Sequence, residues 1–270
     1  MTVATSSAAH AVAIDQPASE RVFLTAQWRA LAMLNWKVPS EMLDPYVPRG
    51  TELDFHQGET YVSIVGFMFL DTRLLGVPIP FHRTFEEVNL RFYLRREVAG
   101  EVYRGVAFIR EIVPRWAVSI VARWAYNEQY VCLPMQSHRV RYSLEEIASE
   151  QSAPRVEYAW RHHGSWCGFQ MECAGERQPL VTGSEEEFIA EHYWGYSRQR
   201  DGSTKEFRVE HPPWEYWPAA RASLTGPVPQ FYAPEFLDTL SRPPDSAFLA
   251  DGSEVKVYQP RRLLTPDPCP

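Results

Sequence analysis

The chain has 270 residues, 45% of them hydrophobic and 13% aromatic, and 34 acidic against 27 basic side chains leave a formal net charge of -7. That content is ample for a large core, and the acid excess argues against a general nucleic-acid surface. No apolar run reaches the ~18 residues of a membrane span, and the 22 prolines between short apolar runs suit a sheet protein rather than a helical bundle.

Residues 1–20 lack a basic start and a continuous apolar stretch, so they read as a disordered tail and not as a secretory signal. Residues 31–38 read as a strand ended by Pro39, and Ser40 opens a short helix cut off by Pro48. Residues 53–56 and 61–70 form an expected hairpin through Gln57-Gly58-Glu59. The second of these strands is apolar on both faces, and Gly66 within it allows a bulge or a close backbone approach. Residues 71–83 read as a loop held extended by Pro78 and Pro80.

The stretch 84–96, TFEEVNLRFYLRR, alternates as a strand. Val88, Leu90, Phe92 and Leu94 form an ordinary core face, while Glu87, Asn89, Arg91 and Tyr93 share the other. An acid, an amide and a guanidinium in successive positions suit either a solvated sheet face or the wall of a polar cavity in a barrel, and the cavity is preferred. Ala99-Gly100 turns the chain into residues 102–113, the expected partner strand, and Pro114 begins an expected helix. A strand over 131–142, a charged excursion over 143–151, and two strands joined at Gly164 follow. Ser184 with Glu187 has capping-box spacing before a short helix. Asp201-Gly202 joins strands 193–199 and 205–211, His211-Pro212-Pro213-Trp214 makes a rigid corner, residues 214–224 read as helical, and 255–258 as a last strand. One domain over 21–260 is expected, followed by a Pro-rich tail at 261–270.

Several landmarks together resemble the DUF2071, or YqjF-like, family of uncharacterised bacterial proteins. They are Trp36 with Val38-Pro39, Tyr61-Val62-Ser63, Phe85-Glu86-Glu87-Val88-Asn89-Leu90-Arg91 and Gly105-Val106-Ala107-Phe108. Ala122-Arg123 with Tyr126, Gln129-Tyr130, Glu187-Phe188 and His211-Pro212-Pro213-Trp214 continue the set. That family is similar to the acetoacetate-decarboxylase-like superfamily. The resemblance implies a mainly β fold, a double barrel or β-cone with a few short helices around a central cavity. In the decarboxylases a cavity lysine forms a Schiff base with a β-keto acid, and cavity glutamates and an arginine handle the carboxylate. The match places that lysine near Gln129-Tyr130, yet no lysine lies between Lys37 and Lys205, so Schiff-base chemistry at that position is excluded. Relatives usually carry a small-polar Ser-Leu-Asp segment where this chain has Arg110-Glu111-Ile112.

Glu87 is the candidate acid/base, with His211, fixed before two prolines, a second. Asn89, Arg91, Arg110, Arg123, Tyr126 and Tyr130 are candidate ligand contacts, with Arg110 expected to share a face with Phe108 and Ile112 and to pair with Glu87. Adjacent His162 and His163 point to opposite strand faces, and no zinc-like spacing involves Cys167 or Cys173, so no metal is expected, nor any other cofactor. Four cysteines without CxxC spacing suit a reduced, cytoplasmic protein. The expected partner is a small anionic or carbonyl-containing molecule, not nucleic acid or membrane, and a homo-oligomer is compatible. Two readings stand: a binding barrel without the Schiff-base lysine, or a lysine-independent lyase, dehydratase or enolising enzyme that uses Glu87.

Overall fold

The computed structural model describes residues 21–78, 82–114, 130–136 and 154–263. The helix expected from Pro114, the excursion at 143–151, and the candidates Arg123 and Tyr126 lie outside the described residues. The first strands are β1 (Val22–Val38), β2 (Glu52–Leu53), β3 (Thr60–Leu74), β4 (Val77–Pro78), β5 (Phe85–Val98) and β6 (Glu101–Val113). After them come β7 (Tyr130–Cys132), β8 (Met135–Gln136), β9 (Arg155–His162), β10 (Ser165–Cys173) and β11 (Gln178–Pro179). The last are β12 (Trp194–Arg198), β13 (Thr204–Glu210), β14 (Glu215–Thr225), β15 (Ser246–Tyr258) and β16 (Arg261–Arg262). The helices are short: α1 (Ser40–Leu43), α2 (Glu185–Ala190), α3 (Val228–Phe231) and α4 (Leu237–Ser241).

Seven strands close into a ring. Its order is β1, β3, β5, β6, β12, β13 and β15, and β15 pairs back onto β1. The junction of β6 with β12 is parallel and the others are antiparallel. From β15 the sheet also continues through β14 and β10 to β9 and β8, forming a second layer that stays open among the described residues.

This arrangement explains the two-faced sequence of β5. Val88, Leu90, Phe92 and Leu94 face outward and join one apolar cluster with Tyr158 and Phe169 of the second layer. Phe85 and Tyr93 face inward and join another with Val65, Phe67 and Phe69. Both faces are therefore buried. Gly66 marks the closest approach of the layers: a Cβ there would lie 2.5 Å from Phe169 Cζ and 2.8 Å from Tyr158 Cδ2. The close-approach reading of this glycine is the one observed.

Five sequence expectations change. β1 begins at Val22 rather than residue 31, because a register shift between Arg29 and Ala32, with Ala30 at φ 54°, lets one long strand bend through both clusters. Gln57-Gly58 does turn the chain, yet Leu53 pairs with Leu94 of β5 rather than with β3. The loop expected over 71–83 starts as strand, with β3 running to Leu74 before a tight turn into β4. Residues 214–224 are strand β14, not helix; Pro218 would break a helix there, and pairing with β15 and β10 holds the segment extended. Arg261 and Arg262, expected within the tail, pair with β13 as β16. No helix of the described residues is long and apolar enough to cross a membrane.

Candidate functional site

Inside the ring lies a cavity of about 180 Å³, with walls from β1, β3, β5, β6, β7, β12, β13 and β15. Most of its lining is apolar, including Trp28, Phe67, Phe69 and Phe207. The polar exceptions cluster on β5 and its neighbours. Glu87, Asn89 and Arg91 all line the cavity, as period-two alternation on an inward face requires. Glu87 is 3% exposed and Asn89 is 2% exposed. Asn89 Nδ2 donates to Glu87 Oε1 at 3.1 Å, and the Tyr130 hydroxyl also hydrogen-bonds Glu87. Burial is the main influence on this acid and pushes it up to about 7, against the opposing pull of Asn89, Tyr130 and Arg91. A carboxyl near half protonation at neutral pH can both give and take a proton.

Strand β6 supplies a different residue from the one expected. The pairing of β5 with β6 shifts between Leu90 and Arg91: Leu90 faces Arg110, while Arg91 faces Phe108. Ile109 is the extra residue of a β-bulge, and it inverts the alternation of everything after it. Phe108 and Glu111 therefore both line the cavity, and Arg110 faces outward with Ile109 and Ile112. Arg110 does not pair with Glu87. It donates to the Phe231 carbonyl and lies over the Phe231 ring, 4.7 Å from its centroid. Glu111, 1% exposed, takes the position opposite Asn89. Nothing in the sequence of β6 announces the bulge, so strict alternation assigned these neighbours to the wrong faces.

Arg91 is held by its own Nη2, which donates to the Ile189 carbonyl at 2.9 Å. Ile189 belongs to α2, whose N-cap Ser184 accepts from the Glu187 N–H at 3.1 Å, as the capping-box spacing foretold. Just beyond that helix, His192 lines the cavity with a side chain 1% exposed. It was not singled out in the sequence, where a histidine two residues past a helix gives no signal. Burial pushes its imidazole down to about 4, so it is neutral at pH 7.

His211 sits elsewhere. Its ring is stacked between Tyr193 and Trp214, at 4.7 and 4.1 Å, and its Nδ1 lies 2.9 Å from the Pro212 carbonyl. It is absent from the cavity wall that carries Glu87, and burial pushes it down to about 4. The two ring contacts hold His211 at the turn from β13 into β14.

The sequence pattern of DUF2071, described as an uncharacterised conserved protein, matches residues 25–254. The chain belongs to the DUF2071 family. One family relative is uncharacterised protein YqjF of Bacillus subtilis (strain 168), 24% identical over 188 residues, which span 69% of this chain and 72% of YqjF. The DUF2071 fold is shared with solved enzymes. Acetoacetate decarboxylase from Legionella pneumophila matches with a TM-score of 0.60 at 11% identity, covering 93% of each chain. The enduracididine biosynthesis enzyme MppR matches with a TM-score of 0.59 at 11% identity, over 89% of this chain and 87% of MppR; MppR has also been solved complexed with pyruvate. At such identities the likeness concerns the fold. In this DUF2071 chain all three lysines are described: Lys37 and Lys256 are exposed, Lys205 is part-exposed, and none lines the cavity. The ring interior therefore has no amine for a Schiff base.

Proposed function

We propose that this DUF2071 protein binds a small, mainly apolar molecule bearing a carbonyl or carboxylate group inside the ring, without covalent attachment. The observation that carries this reading is the Glu87–Asn89 pair, buried and hydrogen-bonded on the wall of a cavity that is otherwise largely apolar. Burying a carboxyl costs free energy that an apolar residue would avoid, so its presence at the wall calls for a purpose there. Protonated Glu87 donates a hydrogen bond to a carbonyl oxygen, and Arg91 meets a carboxylate if the ligand has one. An empty cavity of ~150 Å³ accepts a benzene-sized molecule, so the volume here suits a compound of that order. A reduced, cytoplasmic setting accompanies this reading, in keeping with the free thiols of Cys132, Cys167 and Cys173.

A second reading is a lysine-independent enzyme in which Glu87 moves a proton α to the carbonyl. The carboxyl held near 7 favours it. One experiment addresses both. Thermal-shift and NMR binding would be measured for keto acids, hydroxy acids, lactones and simple ketones, and each binder tested for deuterium uptake from D2O. Stabilisation by carbonyl compounds, weakened in Glu87→Gln, is the expected result. A panel with no binder would end the binding reading. Uptake that persists in Glu87→Gln would end the catalytic one.

A further inference from the structure

We propose that His192 and Arg91 form a second polar pole of the cavity, where His192 accepts and Arg91 donates a hydrogen bond, so that the bound molecule carries a hydroxyl group besides its carbonyl. The inference rests on the cavity's being the ligand site proposed above.

His192 lines the cavity, and neither Nδ1 nor Nε2 has a hydrogen-bond partner among the described residues, although both are fully buried. Its ring is fixed by packing, 4.8 Å from Tyr93 and edge-on to Phe188 at 5.6 Å. Nε2 stands 3.7 Å from Asp54 Oδ2, a polar approach longer than a full hydrogen bond. The same Asp54 oxygen accepts from Arg104 Nε at 2.7 Å. Burial pushes the Asp54 carboxyl up, but His192 and the Arg104 guanidinium outweigh that and hold it below its ordinary value, so Asp54 is an anion.

An anion beside Nε2 selects the tautomer with its proton on Nε2. Nδ1 then carries a lone pair, and as a buried acceptor it needs a donor. Arg91, four positions along β5 from Glu87, contributes the complementary group: its Nε is buried and also lacks a hydrogen-bond partner among the described residues. The pole thus offers one acceptor and one N–H donor. A carboxylate can accept but not donate, and an ammonium can donate but not accept. A hydroxyl does both. The pole with Glu87 and Asn89 addresses the carbonyl, and the pole with His192 and Arg91 addresses the hydroxyl, so the ligand class is a compact hydroxy-carbonyl compound.

The test compares cyclohexanone with 4-hydroxycyclohexanone, two molecules of similar size that differ by one hydroxyl. Calorimetric affinities are measured for the wild-type chain and for His192→Phe. The expected wild-type result is tighter binding of the hydroxy ketone by on the order of tenfold, the worth of one well-formed buried hydrogen bond. In His192→Phe the ratio of the two affinities falls to about one. Equal affinities in the wild type overturn the inference while leaving the cavity reading intact. No binding of either ketone overturns the cavity reading and this inference with it. A hydroxyl preference that survives in His192→Phe overturns the role of His192. Should that variant fail to fold, 15N NMR of ring-labelled wild-type histidines decides: a protonated Nδ1 on His192 overturns the inference. An unprotonated Nδ1 whose resonance moves with the hydroxy ketone and not with cyclohexanone upholds it.

Discussion

Glu87 shows how far one residue could be read from sequence. Its place on the less apolar face of an alternating strand brought it, Asn89 and Arg91 to one wall, and the structure puts all three on the cavity. What the alternation could not convey is the condition of the acid. Burial raises Glu87 from 4.5 in an exposed chain to about 7. A carboxyl raised on folding binds its proton more tightly in the folded state, so its stabilising contribution is whole below pH ~4.5 and is lost as pH rises through ~7. Urea denaturation across pH 4 to 8 should therefore show wild-type stability declining over that window by on the order of 2–3 kcal/mol. In Glu87→Gln, which cannot ionise, this decline should flatten. A variant curve parallel to the wild type would show that Glu87 does not carry the titration. Arg110 and Glu111 were less legible, because their faces depend on one extra residue, Ile109, whose effect lies in the pairing register.

Among the elements, the strands with clear turns were the most legible. Ala99-Gly100 and the Asp201-Gly202 turn join the strands expected of them, with Ala99 at φ 52° and Gly100 at φ 85°. β14 was misjudged because local propensity favoured helix in an Ala-rich stretch, while the partners that make it a strand, β15 and β10, are distant in sequence. Two predictions belong here. Ser184→Ala removes the oxygen that caps α2 and should cost about 1 kcal/mol in chemical denaturation. Because α2 carries the Ile189 carbonyl that holds Arg91, the same change should weaken ligand binding beyond its effect on stability. Gly66→Ala inserts a methyl into the ring of Phe169 and should destabilise by roughly 1–3 kcal/mol through overpacking, a loss that Phe169→Leu partly restores. If Gly66→Ala were neutral, the two layers would not meet as tightly as described.

For the whole molecule, the sequence conveyed a β-rich fold and its family resemblance supplied the cavity. Closure of the ring rests on pairs that are remote in sequence and individually unmarked. Its narrowest seams are β13 with β15, where Val209 faces Val257 and Glu210 faces Lys256, and β6 with β12. Glu210 accepts from Tyr258 at 2.6 Å and Lys256 at 2.9 Å, which hold its carboxyl down to about 2. A lowered acid stabilises above its ordinary value near 4.5 and loses that effect as pH falls toward ~2. After correction for the intrinsic pH dependence of the rate, amide exchange should accordingly be faster at residues 209–210 than in the long β1–β3 ladder, and should rise further on acidification through that window. Glu210→Gln should raise it already at neutral pH; seam exchange as slow as that of β1 and β3 would contradict this. The number seven has its own consequence. Directions around a closed loop of strands can alternate throughout only when the count is even, so an odd loop must contain a pair of neighbours that run the same way. Here that pair is β6 and β12, and the chain between them has to travel back along the full height of the loop before it can re-enter. That return path is residues 114–193, which hold β9, β10, α2 and His192. The outer strands β8, β9 and β10 and the histidine at the cavity are thus carried on the excursion that an odd count makes compulsory.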